Sequence, residues 1–240
     1  MRRNPKRTVA KPVSHVSHTP AFLFDLDGTL VDSVYHHVLA WSEALEEVGL
    51  SLAVWRIHRR IGMSGGLLVQ ALAREIGHRV TSHQARQLQK RHAAAFARYR
   101  TAIRPLPGAR ELLQHLSRVG VRYAIATSGR PESARPTLVA LGVRPEVPVI
   151  TRDEVQHAKP DPDLFLAAAQ RLNVPIVQAI VVGDSVWDLL AARRAGSLGV
   201  GLLSGGYGQD ELERAGAYRV YQDPADLLAH LDEVGVRKLD

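Results

Sequence analysis

Hydrophobic and polar positions along the chain fall into two alternating patterns. Residues 21–26 form a short, almost wholly apolar run that ends in acids and then Gly28. A run of that length without polar alternation predicts a strand buried on both faces and leading into a loop. Four similar runs come later, at 121–126, 147–150, 179–182 and 198–203. Between them lie amphipathic stretches of helical length, at 109–119, 131–141, 162–172 and 186–195. Strand and helix alternate, so the expected core is α/β, a Rossmann-like parallel sheet covered by helices on both faces.

The segment 33–104 breaks that alternation. Val34, Val38, Trp41, Leu45 and Val48 recur at spacings of four and three, as do Ala85, Leu88, His92, Ala95 and Tyr99. Each set makes one stripe on a helix, and the segment reads as an inserted helical subdomain. Asp32 or Ser33 is expected to cap its first helix, and 105–108 to return the chain to the sheet. The expected division is a basic, disordered tail over 1–19, a core made of 20–32 plus 105–240, and the helical insert over 33–104.

Composition alters this picture in two places. The formal charge of +7 suggests an anionic partner, but Arg2, Arg3, Lys6, Arg7 and Lys11 supply five of those charges. The rest of the chain therefore carries +7 less 5, or +2, and nucleic-acid binding is not called for. The chain has no cysteine, which excludes disulfides, thiolate catalysis and cysteine-bound zinc. No run reaches the ~18 consecutive apolar residues of a membrane-spanning helix, and no apolar stretch follows the basic residues before Pro20 as in a secretory signal. A cytoplasmic protein without a membrane partner is the expectation, with a monomer as the default.

Chemistry concentrates just past the apolar runs. FLFDLDGTLVDS, residues 22–33, carries Asp25 and Asp27 where open α/β sheets place ligands, at the carboxyl ends of their strands. Two acids emerging from a core strand repel one another and lose solvation, so they need a cation or a shared proton. VVGDSVWD, residues 181–188, repeats the device with Asp184, and Asp188 follows one helical turn later. A helix cap accounts for Asp184 alone, but the group of acids makes a hard, oxygen-rich pocket suited to Mg²⁺. Thr127 and Ser128 directly follow the run at 121–126, where a hydroxyl and free backbone N–H groups can hold a phosphoryl oxygen. Lys159 opens KPDPDLF, with Pro160 and Pro162 constraining the backbone beside it.

DLDGT, the Thr127 hydroxyl, Lys159 and GDSVWD, in that order, resemble the four motifs of the haloacid dehalogenase superfamily of aspartate-nucleophile phosphatases, over nearly everything from residue 22 to about 203. The insert is similar to the helical cap of the phosphoglycolate phosphatase and β-phosphoglucomutase branch, notably at YHHVLAW, 35–41, and RRIGMSGG, 59–66. The resemblance implies that Asp25 attacks phosphorus to form an aspartyl-phosphate and that Asp27 serves as acid and then base. It implies Mg²⁺ on the Asp25 carboxylate, the Asp27 main-chain carbonyl and Asp184, with Asp188 acting behind them or through water. Thr127, Ser128 and Lys159 then hold the phosphoryl group, His37 matches a cap-hinge histidine that could contact substrate or equally face a domain interface, and the partner is a small phosphorylated metabolite such as a sugar phosphate or phosphoglycolate.

Three competing functions differ by residue. The dehalogenases lack the second acid and the metal, so Asp27 and Asp184 argue against them. The mutases carry an arginine aligned here with Gly65, with Arg59 and Arg60 near enough to compensate. A non-catalytic relative has no need of Asp25, Asp27, Lys159 and Asp184 together. Of the remaining residues, His15, His18, His58, His78, His83, His92, His115, His157 and His230 lack metal-ligand spacing and are expected at the surface or as filler. Trp41, Trp55 and Trp187 are expected in packing, and 205–208, with three glycines, as a mobile loop.

Overall fold

The computed structural model describes residues 19–236 other than Ile76 and His78, so the expected tail lies outside it except for Thr19. The first strand, β1 (Ala21–Phe24), is buried throughout. Successive strand side chains point to opposite faces, and here Phe22 and Phe24 enter one core cluster while Ala21 and Leu23 enter another. The two phenylalanine rings stack at 5.8 Å, and full burial of each contributes about 1.5–3 kcal/mol.

After β1 the chain makes the helices α1 (Val34–Glu46), α2 (Val54–His58), α3 (Gly65–Glu75) and α4 (Ser82–Tyr99). Then α5 (Ala109–Arg118), β2 (Tyr123–Ala126), α6 (Pro131–Leu141), β3 (Val149–Ile150), α7 (Asp163–Arg171), β4 (Ala179–Gly183) and α8 (Val186–Ala195) follow. The last elements are β5 (Leu198–Leu202), α9 (Gln209–Ala215), β6 (Ala217–Tyr221) and α10 (Pro224–Ala229). The strands form one parallel sheet in the order β3-β2-β1-β4-β5-β6. Strand order reverses direction between β1 and β4, and the crevice beyond their carboxyl ends is the switch point at which such sheets bind ligands.

The expected α/β core is present, with differences at its edges. The run at 147–150 joins the sheet only at Val149, because Pro148 has no N–H and contributes just the carbonyl that accepts from Ile125 N at 2.9 Å. Strand β6 escapes the apolar pattern because it lies at the sheet edge with Tyr218 and Arg219 exposed. Gly199 and Gly201 of β5 lie against Leu189 and Leu212, and a β-carbon at either would come within 3.0 Å of those side chains. These two positions let α8 and α9 approach the sheet closely.

The helices α1 to α4 enclose their own apolar cluster, in which Val38, Trp41, Leu45, Ile57, Leu68, Leu72 and Leu88 meet. Helix α4 starts with a capping box: Thr81 N donates to Gln84 Oε1 at 2.9 Å and Gln84 N to Thr81 Oγ1 at 3.2 Å. Trp55 departs from expectation, being 61% exposed at the start of α2 with the Arg56 guanidinium over its ring. The two ends of the helical segment run side by side, with Asp32 N donating to Arg104 O and Leu106 N to Leu30 O. Among the described residues no helix is long and apolar enough to cross a membrane.

Leu112 of α5 is fully buried in the cluster beneath Phe22 and Phe24, whereas Val177 is 71% exposed. Leu112→Ala is expected to lower the free energy of unfolding by about 2–5 kcal/mol and Val177→Ala by no more than about 0.5 kcal/mol, read from urea denaturation monitored by circular dichroism. Equal effects of the two would contradict this placement of the core.

Candidate active site

Four loops at the switch point bring the sequence-marked residues together. Asp25 directly follows β1, and its amide still donates to Val182 O of β4 at 2.9 Å, so its position is set by the sheet ladder. Thr127 follows β2, Lys159 precedes α7, and Asp184 follows β4. Lys159 has no exposed surface, and its ammonium pairs with the Asp25 carboxylate and, at 2.8 Å, with Asp188 Oδ1. Asp188 is held in turn by Ser185, whose hydroxyl and amide donate to Oδ2 at 2.5 and 3.1 Å. Asp184 Oδ1 accepts from Thr29 Oγ1 at 2.8 Å.

Asp25, Asp184 and Asp188 each place one carboxylate oxygen within 4.8 Å of the others. Burial pushes Asp25 up to about 7 against the pull of Lys159, and the charges of Asp188 and Asp27 add to the push. Burial, with Asp188 and Asp25 beside it, likewise raises Asp184 well above the usual carboxylate range. Three buried acids share one ammonium, so the cluster holds more negative charge than the protein neutralises. Its all-oxygen donors and unmet charge fit a hard divalent cation.

Asp27 lies outside this cluster and faces the helical insert. Its Oδ1 accepts from Ser33 Oγ at 2.6 Å and lies 3.3 Å from His37 Nε2, while Thr127 Oγ1 is 3.5 Å from Oδ2. Burial alone would raise Asp27, but His37, Ser33 and Lys159 outweigh it and hold the carboxyl below its ordinary value. Ser33 therefore occupies the first-helix cap position without capping it, its hydroxyl being committed to Asp27. Ser128 Oγ donates to Gly62 O at 3.2 Å and so joins the core to the insert.

A cavity of about 490 Å³ opens beside these groups, with Asp25, Asp27 and Ser128 on the core side and Met63, Gln89 and His92 on the insert side. Arg59 and Arg60 do not stand in for the guanidinium that Gly65 lacks. They pair with Glu211 and Glu75 and are not part of the cavity wall.

Of the histidines expected at the surface or as filler, His58 is buried and His92 half-buried, both among aromatic rings. His92 packs its ring 4.2 Å from that of Trp41, and its Nε2 is 3.1 Å from Nδ1 of His37, which stacks on Phe96 at 3.8 Å. Burial, with His37 next, holds His92 well below its ordinary value. The available signal was its place on an otherwise apolar stripe. His58 lies between the rings of Tyr35 and Tyr207 and meets Gly205 O at 2.8 Å. No local sequence pattern marks it. The segment at 205–208 is likewise no free loop: Gly205 and Tyr207 are buried, and a β-carbon on Gly205 would collide with the Asp184 carboxylate.

A family model described as haloacid dehalogenase-like hydrolase matches residues 19–196. The chain is 35% identical over 216 residues to a phosphoglycolate phosphatase of Rhodospirillum rubrum, covering 86% of this chain and 88% of that one. It is 35% identical over 181 residues to hexitol phosphatase A of Escherichia coli, covering 73% and 79% respectively. The crystal structure of a hydrolase from Pseudomonas syringae superposes with a TM-score of 0.87 at 54% identity, covering 90% of this chain and 99% of that one. With its parallel sheet, its acids at the switch point and these relatives, the chain is an enzyme and belongs to the haloacid dehalogenase-like hydrolase family.

Proposed function

We propose that the protein is a Mg²⁺-dependent phosphatase that hydrolyses a small phosphomonoester, of the sugar phosphate or phosphoglycolate kind, through an aspartyl-phosphate on Asp25. The observation that carries this reading is the pairing of a buried Asp25 with Lys159 at the floor of a cavity that Asp27 also lines. The helical insert over 33–104 acts as a cap, the remainder of the described chain as the catalytic core.

The Asp25 carboxylate attacks phosphorus, forming an O–P bond as the bond to the leaving oxygen breaks. Asp27 delivers a proton to that oxygen, and then removes one from the water that displaces phosphate from Asp25. Asp27 is held ionised in the resting site, which suits the second step. An arriving phosphate dianion raises it by like-charge repulsion, which suits the first. Lys159, Thr127 and Ser128 hold the phosphoryl oxygens. A Mg²⁺ ion on Asp25, Asp184 and the Asp27 carbonyl, with Asp188 behind, would offset the repulsion between the substrate and the acidic cluster. His37 steers Asp27 from the cap side. Phosphatase activity is preferred to mutase activity because Gly65 supplies no cation at its own position and Arg59 and Arg60 are committed to Glu211 and Glu75, the arginines of the cavity wall being Arg100, Arg130 and Arg152.

Hydrolysis of an aryl phosphate is expected with Mg²⁺ and is expected to stop on chelation with EDTA; turnover that persists without metal would defeat the mechanism. A screen of phosphorylated metabolites, with β-glucose 1-phosphate and its bisphosphate activator included, should release inorganic phosphate rather than isomerise the sugar. Asp25→Asn should lose activity by roughly 10⁴-fold or more with an unchanged circular dichroism spectrum. Asp27→Asn should cost roughly 10²–10⁴-fold in kcat on an alkyl phosphate and less on nitrophenyl phosphate, whose leaving group needs no proton. A loss of equal size on both substrates would remove the acid role from Asp27.

A further inference from the structure

His58 contributes nothing to the mechanism above, yet its surroundings are those of a constrained group. It is the last residue of α2, it is buried, and its ring lies parallel to that of Tyr35, within 3°, at 5.3 Å. Tyr207 closes the other side at 5.6 Å. The atom facing its Nε2 is the carbonyl oxygen of Gly205, which only accepts, so Nε2 carries the proton and donates.

Gly205 is the outer wall of the Asp184 pocket. Its α-carbon lies so close to the Asp184 carboxylate that no side chain fits there. Gly28 packs on the same carboxylate and has no room for a side chain either. The segment carrying this wall is tied to the core at Ser204, whose hydroxyl donates to Gly28 O at 2.6 Å. It is tied to the helical insert at Gly205, through His58. Around the same corner, Tyr207 Oη donates to Arg59 O at 3.1 Å and the Arg59 guanidinium stacks over the Tyr207 ring while pairing with Glu211.

We infer that His58 is a positioning residue for the metal site: by holding Gly205 against Asp184 it confines that carboxylate, so the helical insert contributes to cation affinity without supplying a ligand. The inference rests on the proposed Mg²⁺ role of Asp184. A carboxylate held by Thr29 on one oxygen and boxed by two glycine backbones is pre-set for a cation, and moving one wall returns rotational freedom to it. Outer partners of metal ligands typically affect affinity by 10–100-fold, and a contact acting through backbone packing belongs at the lower end, about tenfold.

The test is calorimetric titration of the full-length protein with MgCl₂ in the absence of substrate, with circular dichroism and thermal melting to verify the fold. His58→Phe preserves the stacked ring and removes the donor, and is expected to bind Mg²⁺ about tenfold more weakly. His58→Gln restores an N–H that can reach Gly205 O and is expected to return to near the parent affinity. If the phenylalanine variant does not fold, His58→Asn, whose shorter amide falls short of Gly205, replaces it with the same expectation. Parent affinity in the folded donor-less variant would overturn the inference, and so would equal weakening in the donor-less and glutamine variants, which would show that the effect does not follow the N–H donor. Asp184→Asn serves as the reference: Mg²⁺ binding as tight as in the parent there would overturn the metal-site reading itself, and this inference with it.

Discussion

The Lys159 ammonium, wholly buried between Asp25 and Asp188, is the interaction around which the site is organised. A buried ion pair adds little net stability compared with an apolar replacement, but removing one partner typically costs 3–5 kcal/mol because the other is left uncompensated. With Asp184 beside them, three acids face one cation. Burial first, and this surplus of negative charge after it, push Asp25 and Asp184 toward protonation. A protein folded for stability alone would not collect it; a site that takes up a divalent cation, as proposed above, has reason to.

The sheet makes this crowding possible. Asp25 and Asp184 follow β1 and β4, which pair in register from Ala21 with Ala179 to Phe24 with Val182. Two acids that are far apart in sequence thus leave the sheet at the same level, next to one another. The apolar strands behind them keep water from relieving the repulsion. Glycines at 28, 183 and 205 then let side chains of the acids pack directly on backbone, with no intervening β-carbon.

The helical insert completes the site from the other side. Through His37 it reaches Asp27, and through Gly62 it reaches Ser128. The His37, His92, Phe96 and Trp41 rings form one stacked wall above Asp27. The insert has an apolar cluster of its own, but Ala40, Ala95, Phe96 and Ile103 join the cluster of Phe22 and Phe24, so the two elements meet over apolar as well as polar groups.

By itself the sequence determined the α/β core and the identity of the acids, because both are local signals. An unbroken apolar run such as 179–182 has to be buried, and DLDGT or GDSVWD directly after such a run exposes carboxylates at a strand end. It also determined that Lys159, Thr127 and Asp184 belong with Asp25, although only through the order of their motifs. The edge strand β6 was not legible, since half its side chains face solvent and carry no apolar signature. Nor was the split of the acids into two groups, with Asp188 on Lys159 and Asp27 on Ser33 and His37. Tertiary structure alone decided the burial of His58, the ring partners of His92 and the packing of 205–208. Their partners Gly205, Trp41 and Asp184 are 147, 51 and 21 residues or more away along the chain in the respective contacts, and a histidine or glycine carries no local sign of whether a distant carbonyl, ring or carboxylate will come to meet it.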